Sequence, residues 1–242
     1  MYTDEKINED TYYIIDKTND FIYVLKGKEK TLVIDLGETR EPLYETIQAI
    51  AQGDMIVYLT HGHGDHVAKT LEFDKIYLSP LDKTVYQENE LFYPDTFQLK
   101  DYQDLYPLDD RQTIDLGDRI ITAVSVGGHS PGSMIFVDPK YKLLFVGDAL
   151  ATMKGVWMQA SHSLPLSQYA VHLQQLLVYF EENGIDDTWE MWSGHEKSGG
   201  HILPHKTNIS YIQQSIELCH LLLDGKITGT PSDEPTFDGT QA

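Results

Sequence analysis

His61-Gly62-His63-Gly64-Asp65-His66 gathers three imidazoles and a carboxylate into six consecutive residues. Neutral imidazole nitrogen and ionised carboxylate are the side-chain donors that suit zinc and related divalent ions. A His-rich exposed loop is the ordinary alternative, and the place of the motif argues against it. Immediately upstream, Met55-Ile56-Val57-Tyr58-Leu59 is a short apolar run with β-branched and aromatic members, which reads as a buried strand ending at Thr60. The donors therefore leave the end of a strand. Gly62 and Gly64 are expected to let the backbone turn tightly, so that His61 and His63 face one ion while Asp65 and His66 turn toward a second.

Four donors from one loop do not close two metal sites, so other parts of the chain must contribute. His129 lies in Gly127-Gly128-His129-Ser130-Pro131-Gly132-Ser133, a Gly/Pro-rich turn between the apolar runs 120–126 and 134–137. Asp148 follows Leu143-Leu144-Phe145-Val146-Gly147, and His195 lies in Ser193-Gly194-His195-Glu196, just after residues 189–192. Each is a metal-competent group at the end of an expected strand, where loops carry chemistry on a rigid sheet.

Taken in order, HGHGDH, GGHSPGS, FVGDAL and SGHE resemble the metallo-β-lactamase superfamily of metallohydrolases over nearly the whole chain. The resemblance implies an α/β fold, a four-layer αββα sandwich with two mixed β-sheets face to face, helices outside and a dinuclear site at one edge. Carried over position by position, it assigns His61, His63 and His129 to the first metal, and Asp65, His66 and His195 to the second. Asp148 would bridge both, and Asp65 would also accept a hydrogen bond from the nucleophilic water. Zinc is the default pair of ions, with iron or manganese as substitutes.

The length of 242 residues and the spread of these donors from 61 to 195 favour one domain without a linker, ending in a polar, frayed tail from about 228. The first residues, Met1-Tyr2-Thr3-Asp4-Glu5-Lys6, lack a basic start and an apolar h-region, and no apolar run approaches transmembrane length. One cysteine, Cys219, set in a helical apolar pattern, excludes an intrachain disulfide and fits a buried role in a reducing compartment. A cytoplasmic protein without a membrane partner is the expectation. The net charge of −20, from 18 basic and 38 acidic residues, would repel a nucleic-acid backbone.

Three opening strands are expected over 12–15, 21–25 and 31–34, then a helix over 40–51, and a short strand at 75–78. Residues 134–137 and 142–146 form a hairpin around Asp138-Pro139-Lys140-Tyr141; later helices span 167–182, with Ser167 as N-cap, and 210–223, closed by Gly225. The acidic, aromatic stretch 82–110 is either an ordinary surface excursion or a lid over the metal cleft. Residues 153–166 bring Trp157, Met158 and His162 soon after Asp148 and are the favoured substrate-contact loop. His162, His201 and His205 are candidate proton donors to a leaving group, whereas His172 and His220 fall in helical patterns and read as packing or surface groups.

Two metals about 3.5 to 4 Å apart share a water, ionise it near neutral pH and polarise a carbonyl, which makes hydrolysis of an acyl bond the natural reaction. Within the resemblance, Asp148 stands where the true β-lactamases place Cys or Ser, which points to a small thioester, ester or lactone instead. Val67-Ala68 and Met153-Lys154-Gly155-Val156 depart from the glutathione-specific glyoxalase II pattern, and Ala151 departs from the tyrosine of the homoserine-lactonase branch. The alternatives are a phosphodiesterase or phosphorylcholine-ester hydrolase, a two-iron redox protein, and a non-catalytic binding protein that keeps the fold.

Overall fold

The computed structural model describes residues 2–39, 41–92, 94–150, 155–195 and 206–229. The first sheet runs β1 (Thr3–Asn8), β2 (Thr11–Ile15), β3 (Phe21–Lys26), β4 (Lys30–Ile34), β5 (Asp54–Tyr58), β6 (Ile76–Leu78) and β7 (Tyr106–Pro107), in that order. Its pairs are antiparallel as far as β4 and parallel beyond. The second sheet has the order β13 (Lys206–Thr207), β12 (Glu190–Ser193), β11 (Leu143–Gly147), β10 (Met134–Asp138), β9 (Ile120–Ser125), β8 (Thr113–Asp115). There only β11 and β12 are parallel.

The central strands are apolar at most positions because both faces are buried. Phe21, Tyr23 and Leu25 of β3 point between the sheets with Leu32, Ile34, Phe136, Phe145 and Trp192. The alternate residues of the first sheet, Ile22, Val24, Val33 and Val57, face outward to Leu43, Ile47 and Tyr86, on and beside α1 (Tyr44–Gln48) and α3 (Lys83–Phe92). Those of the second sheet, Ile135, Leu144 and Met191, meet Leu173, Leu176, Ile212 and Cys219 of α4 (Leu166–Glu182) and α5 (Ser210–Leu223). Strand period two thus produces three apolar interfaces and four layers, the expected αββα sandwich.

Several elements differ from the sequence reading. The helix expected over 40–51 is confined to Tyr44–Gln48, since Pro42 disfavours helical backbone at Glu41. Its entry is instead held by Glu72, whose Oε2 accepts the Leu43 and Tyr44 amides at 2.7 and 2.8 Å. Ser167 is not an N-cap: α4 starts at Leu166, Pro165 occupies the cap position, and no side chain caps it. The proline ring fixes a φ already suited to helix entry. Helix α3 was hidden in the acidic 82–110 stretch, where only Val85, Tyr86 and Asn89 turn inward. Strand β1 is exposed along most of its length and reads as polar, as edge strands do. Helix α5, the positive φ of Gly225 and the burial of Cys219 follow the expectation. The tail from 230 onward lies outside the described residues, and among those described no helix is long and apolar enough to cross a membrane.

The sheets are tied together at both ends. At one end Phe21 N donates to Gly194 O at 2.9 Å and Met134 N to Thr60 O at 2.8 Å. At the other, Arg119 is wholly buried; its Nε donates to Asp138 Oδ2 at 3.0 Å, and Nη2 and Nη1 reach Thr11 Oγ1 at 2.8 Å and Asp10 O at 3.1 Å. Arg119→Ala leaves Asp138 buried and uncompensated, and equilibrium denaturation should show a loss of about 3–5 kcal/mol with metal content unchanged. A loss below about 1 kcal/mol would show that this staple contributes little.

Candidate metal centre

One end of the sandwich collects the candidate donors. Strand β5 runs through Leu59 and Thr60 into His61; the turn after β9 carries His129; β11 ends at Gly147 beside Asp148; and Gly194-His195 follows β12. Asp65 and His66 sit on α2 (Gly64–Val67). Gly62 and Gly64 do not serve positive φ. They serve close approach: a Cβ on Gly64 would stand 2.2 Å from the Phe97 ring, and one on Gly62 2.9 Å from Tyr86 N. The backbone freedom is needed at Gly147, φ +48, where the chain turns against Thr60 to present Asp148.

His61 Nε2, His63 Nδ1 and His129 Nε2 lie 2.9 to 3.2 Å from one another. Donor atoms at tetrahedral corners about 2.0–2.1 Å from an ion are about 3.3 Å apart, so this triangle fits a single cation. The outward nitrogens are already committed. His129 Nδ1 donates to the Trp157 carbonyl at 2.7 Å. Thr60 Oγ1 gives its hydrogen to Asp35 Oδ2 at 2.7 Å and so accepts from His61 Nδ1 at 2.9 Å. His63 Nε2 meets His162 Nε2 at 2.7 Å. Burial, and then the neighbouring imidazoles, push His61 and His63 well below the usual histidine range. His61 and His63 are therefore neutral, and lone pairs on the three inward nitrogens would be stabilised by a cation between them.

Beside this triangle stand His66, His195, Asp65 and Asp148. His195 Nε2 is 3.1 Å from His66 Nε2, 3.1 Å from Asp148 Oδ2 and 3.3 Å from Asp65 Oδ2. Asp148 Oδ2 is also 3.9 Å from His129 Nε2, and its Oδ1 is buried with no hydrogen-bonding partner among the described residues. Outward, His66 Nδ1 donates to Asp35 Oδ2 at 2.8 Å and His195 Nδ1 to Asp20 Oδ1 at 2.9 Å. Among the described residues, three groupings could hold an ion: His61, His63 and His129; His61, His66 and Asp148; and Asp65, His66 and His195. Burial opposes charge on His66, but Asp65, Asp35 and Asp148 outweigh it and raise that ring well above the usual range. His195 is raised likewise, against burial, by Asp148, Asp20 and Asp65. Asp65 and His195 side chains are 35% and 30% exposed, against 1% for His66 and His129, so the centre opens on the Asp65–His195 side.

The sequence therefore brought all seven expected donors together, and it missed their supports. Asp35, φ +61, and Asp20 flank the apolar strands β4 and β3. Asp35 follows an apolar run, the signal that marked Asp148, whereas Asp20 precedes one. Asp82 is buried and joins two donor loops, accepting from Gly62 N at 2.8 Å, Ser130 Oγ at 2.7 Å and Gly132 N at 2.5 Å. The 82–110 stretch thus supports the donor loops, with Phe97 and Tyr86 packed beneath them and Asn89 donating to Gly62 O at 2.8 Å. Trp157 lies over His63 and His129, with ring centroids 6.1 and 6.3 Å away. Met158 turns away and packs on the apolar layer under α4. His172 would lie 2.8 Å from a Cβ on Gly127, a packing position, and His220 pairs with Gln174 at 3.3 Å. His201, His205, Glu196, Ala151 and Met153 are outside the described residues.

The family model for the metallo-β-lactamase superfamily matches residues 16–190. The chain belongs to that superfamily. This places it among hydrolases that commonly bind two divalent metals. The human acyl-coenzyme A thioesterase MBLAC2 is 23% identical over 231 residues, covering 82% of this chain and 80% of its own. A hydroxyacylglutathione hydrolase of Francisella tularensis is 28% identical over 144 residues, 57% of this chain and half of its own length. Among solved structures, a metallo-β-lactamase from Pontibacter korlensis superposes with TM-score 0.67 at 16% identity, covering 91% of this chain and 99% of that one. TTHA1623 in a di-iron-bound form gives 0.62 at 22% identity, covering 83% and 96%. At such identities the structural likenesses speak for the fold alone.

Acidity should empty the two halves of the centre unequally. Below their raised pKa values His66 and His195 each carry a proton on the inward nitrogen, which an ion must displace, so affinity on their side falls as pH falls. His61 and His63 are neutral already and add no such term. Chelator competition between about pH 6 and 8.5 should show one ion lost at higher pH than the other. Two ions released together, independently of pH, would contradict this.

Proposed function

We propose that this chain is a cytoplasmic, single-domain, dinuclear metal hydrolase that cleaves a small thioester, ester or lactone. The observation that carries the reading is the convergence of seven donor groups, each imidazole with its outward nitrogen committed to a partner. His61, His63 and His129 would hold one ion, Asp65, His66 and His195 the other, and Asp148, within 3.9 Å of His129 and 3.1 Å of His195, would serve both. The donor set suits zinc and accepts iron or manganese. Ions held there supply Lewis acidity and a water that ionises near neutral pH.

The protein's own groups do the rest. Burial would raise the Asp65 carboxyl, but His66 and His195 outweigh it and hold it well below the usual range. Asp65 is thus an ionised acceptor on the open side, placed to orient a hydrogen of an attacking water. Trp157 stands beside His63 and His129, an apolar surface against which a compact acyl group would pack. The relatives named as an acyl-coenzyme A thioesterase and hydroxyacylglutathione hydrolases support a thioester first. The net charge of −20 disfavours nucleic acid, and Asp148 in place of Cys or Ser disfavours a β-lactam.

The test is a parallel panel of thioesters, lactones, β-lactams and phosphodiesters with the metal-loaded protein, beside Asp148→Ala at matched metal content. Thioester or lactone turnover should lead in kcat/KM, and Asp148→Ala should lose more than the roughly 10–100-fold typical of an outer-partner change. A phosphodiester or cephalosporin as best substrate, with no thioester or lactone turned over, would overturn the reading.

A further inference from the structure

His63 differs from the other imidazoles in what holds its outward nitrogen. Carboxylates, a carbonyl and a hydroxyl committed as acceptor hold the outward Nδ1 of His66, His195, His129 and His61. None of these can donate in its place, so each ring has one available tautomer. His63 presents Nδ1 inward, and its Nε2 faces another imidazole, His162 Nε2, at 2.7 Å. An imidazole nitrogen is donor or acceptor according to tautomer, so this contact alone leaves His63 undetermined. If His162 carried its proton on Nε2, His63 would take its own on Nδ1. That proton would then point at His61 Nε2, 3.0 Å away, and His129 Nε2, 2.9 Å away, and would satisfy the triangle with a hydrogen bond in place of a cation.

The far side of His162 resolves the ambiguity. Its Nδ1 is buried, makes no hydrogen bond of good geometry among the described residues, and lies 3.4 Å from Glu88 Oε2 on α3. An ionised carboxylate accepts only, so it calls for a proton on Nδ1 of His162 and leaves Nε2 as a lone pair. His63 must then donate from Nε2 and turn its Nδ1 lone pair inward. We infer that His162 and Glu88 are a positioning pair that fixes the tautomer of His63. The chain runs Glu88 Oε2, His162 Nδ1–H, His162 Nε2, His63 Nε2–H, and ends on the lone pair of His63 Nδ1. The inference deepens the reading of His63 as a ligand and rests on it. It gives His162, expected from sequence to contact substrate, a different task, and it gives a role to the acid that α3 turns toward His162.

The experiment is long-range proton–nitrogen NMR of the histidine rings in the full-length protein stripped of ions, together with chelator competition after reloading. It compares wild type, His162→Gln, His162→Leu and Glu88→Gln. In wild type His63 should carry its proton on Nε2. Leucine removes the acceptor, so His63 should shift toward the Nδ1–H form and one ion should bind about 10–100-fold more weakly. Glutamine keeps an acceptor and should restore most of both. Glu88→Gln, which offers a donor as well as an acceptor, should shift the tautomer in the same direction as leucine but less, and it guards against a folding defect in the larger change. His63 on Nε2 in every variant, or equal loss in the leucine and glutamine proteins, overturns the positioning pair even where two ions bind. If wild type binds no ion while the tautomer still follows residue 162, the pair stands and the metal reading falls.

Discussion

Imidazole nitrogens and carboxylates drawn from four separate segments stand 2.9 to 3.9 Å apart at one end of the sandwich. Without an ion, protons on His66 and His195 balance the carboxylates while His61 and His63 stay neutral, and a cation at the centre would satisfy both halves. Much of the local structure follows from holding these groups together. Asp82 ties the His61–His66 loop to the His129 turn, Asp35 ties β4 to Thr60 and His66, and Asp20 ties β3 to His195. Main-chain bonds across the sheets, Phe21 N to Gly194 O and Met134 N to Thr60 O, fix the separation of the two halves. The apolar layer of Phe21, Tyr23, Phe136, Phe145 and Trp192 between the sheets offsets the cost of that rigidity.

The donors were legible in the sequence because each one breaks a pattern. His61, His129, Asp148 and His195 are polar groups at the ends of buried apolar runs, and His61, His63 and His66 repeat within six residues. The central strands were legible for the same reason. What escaped was whatever depends on partners distant in the chain. Helix α1 is short because Pro42 and Glu72 set its entry, and Glu72 lies 29 residues beyond Leu43. Helix α3 presents so few inward residues that its acidity dominates the pattern. Asp20, Asp35 and Asp82 are ordinary acids among 38 until the fold brings a donor to each. Gly62 and Gly64 illustrate the limit: their presence was noticed, but the reason, contact with Phe97 and Tyr86, is tertiary.

The outer partners also decide what kind of centre this is. A carboxylate behind His66 and another behind His195 make those imidazoles better donors and hold their inward nitrogens in place. The backbone carbonyl of Trp157 does the same for His129, and the indole ring of that residue stands 6.3 Å from the His129 ring. One loop thus orients a donor and sets an aromatic ring beside two of them, so changes there are expected to disturb His129 and His63 together. Among the described residues, exposure rises from the enclosed His61–His129 side to Asp65 and His195.

The central claim is that these seven side chains hold two ions, and anomalous diffraction at the absorption edge of the metal found in the purified protein tests it most directly. The account predicts two peaks, one among His61, His63 and His129 and the other among Asp65, His66 and His195, with Asp148 between them. No anomalous peak after reconstitution with zinc, iron or manganese, or a peak held by other residues, would contradict it.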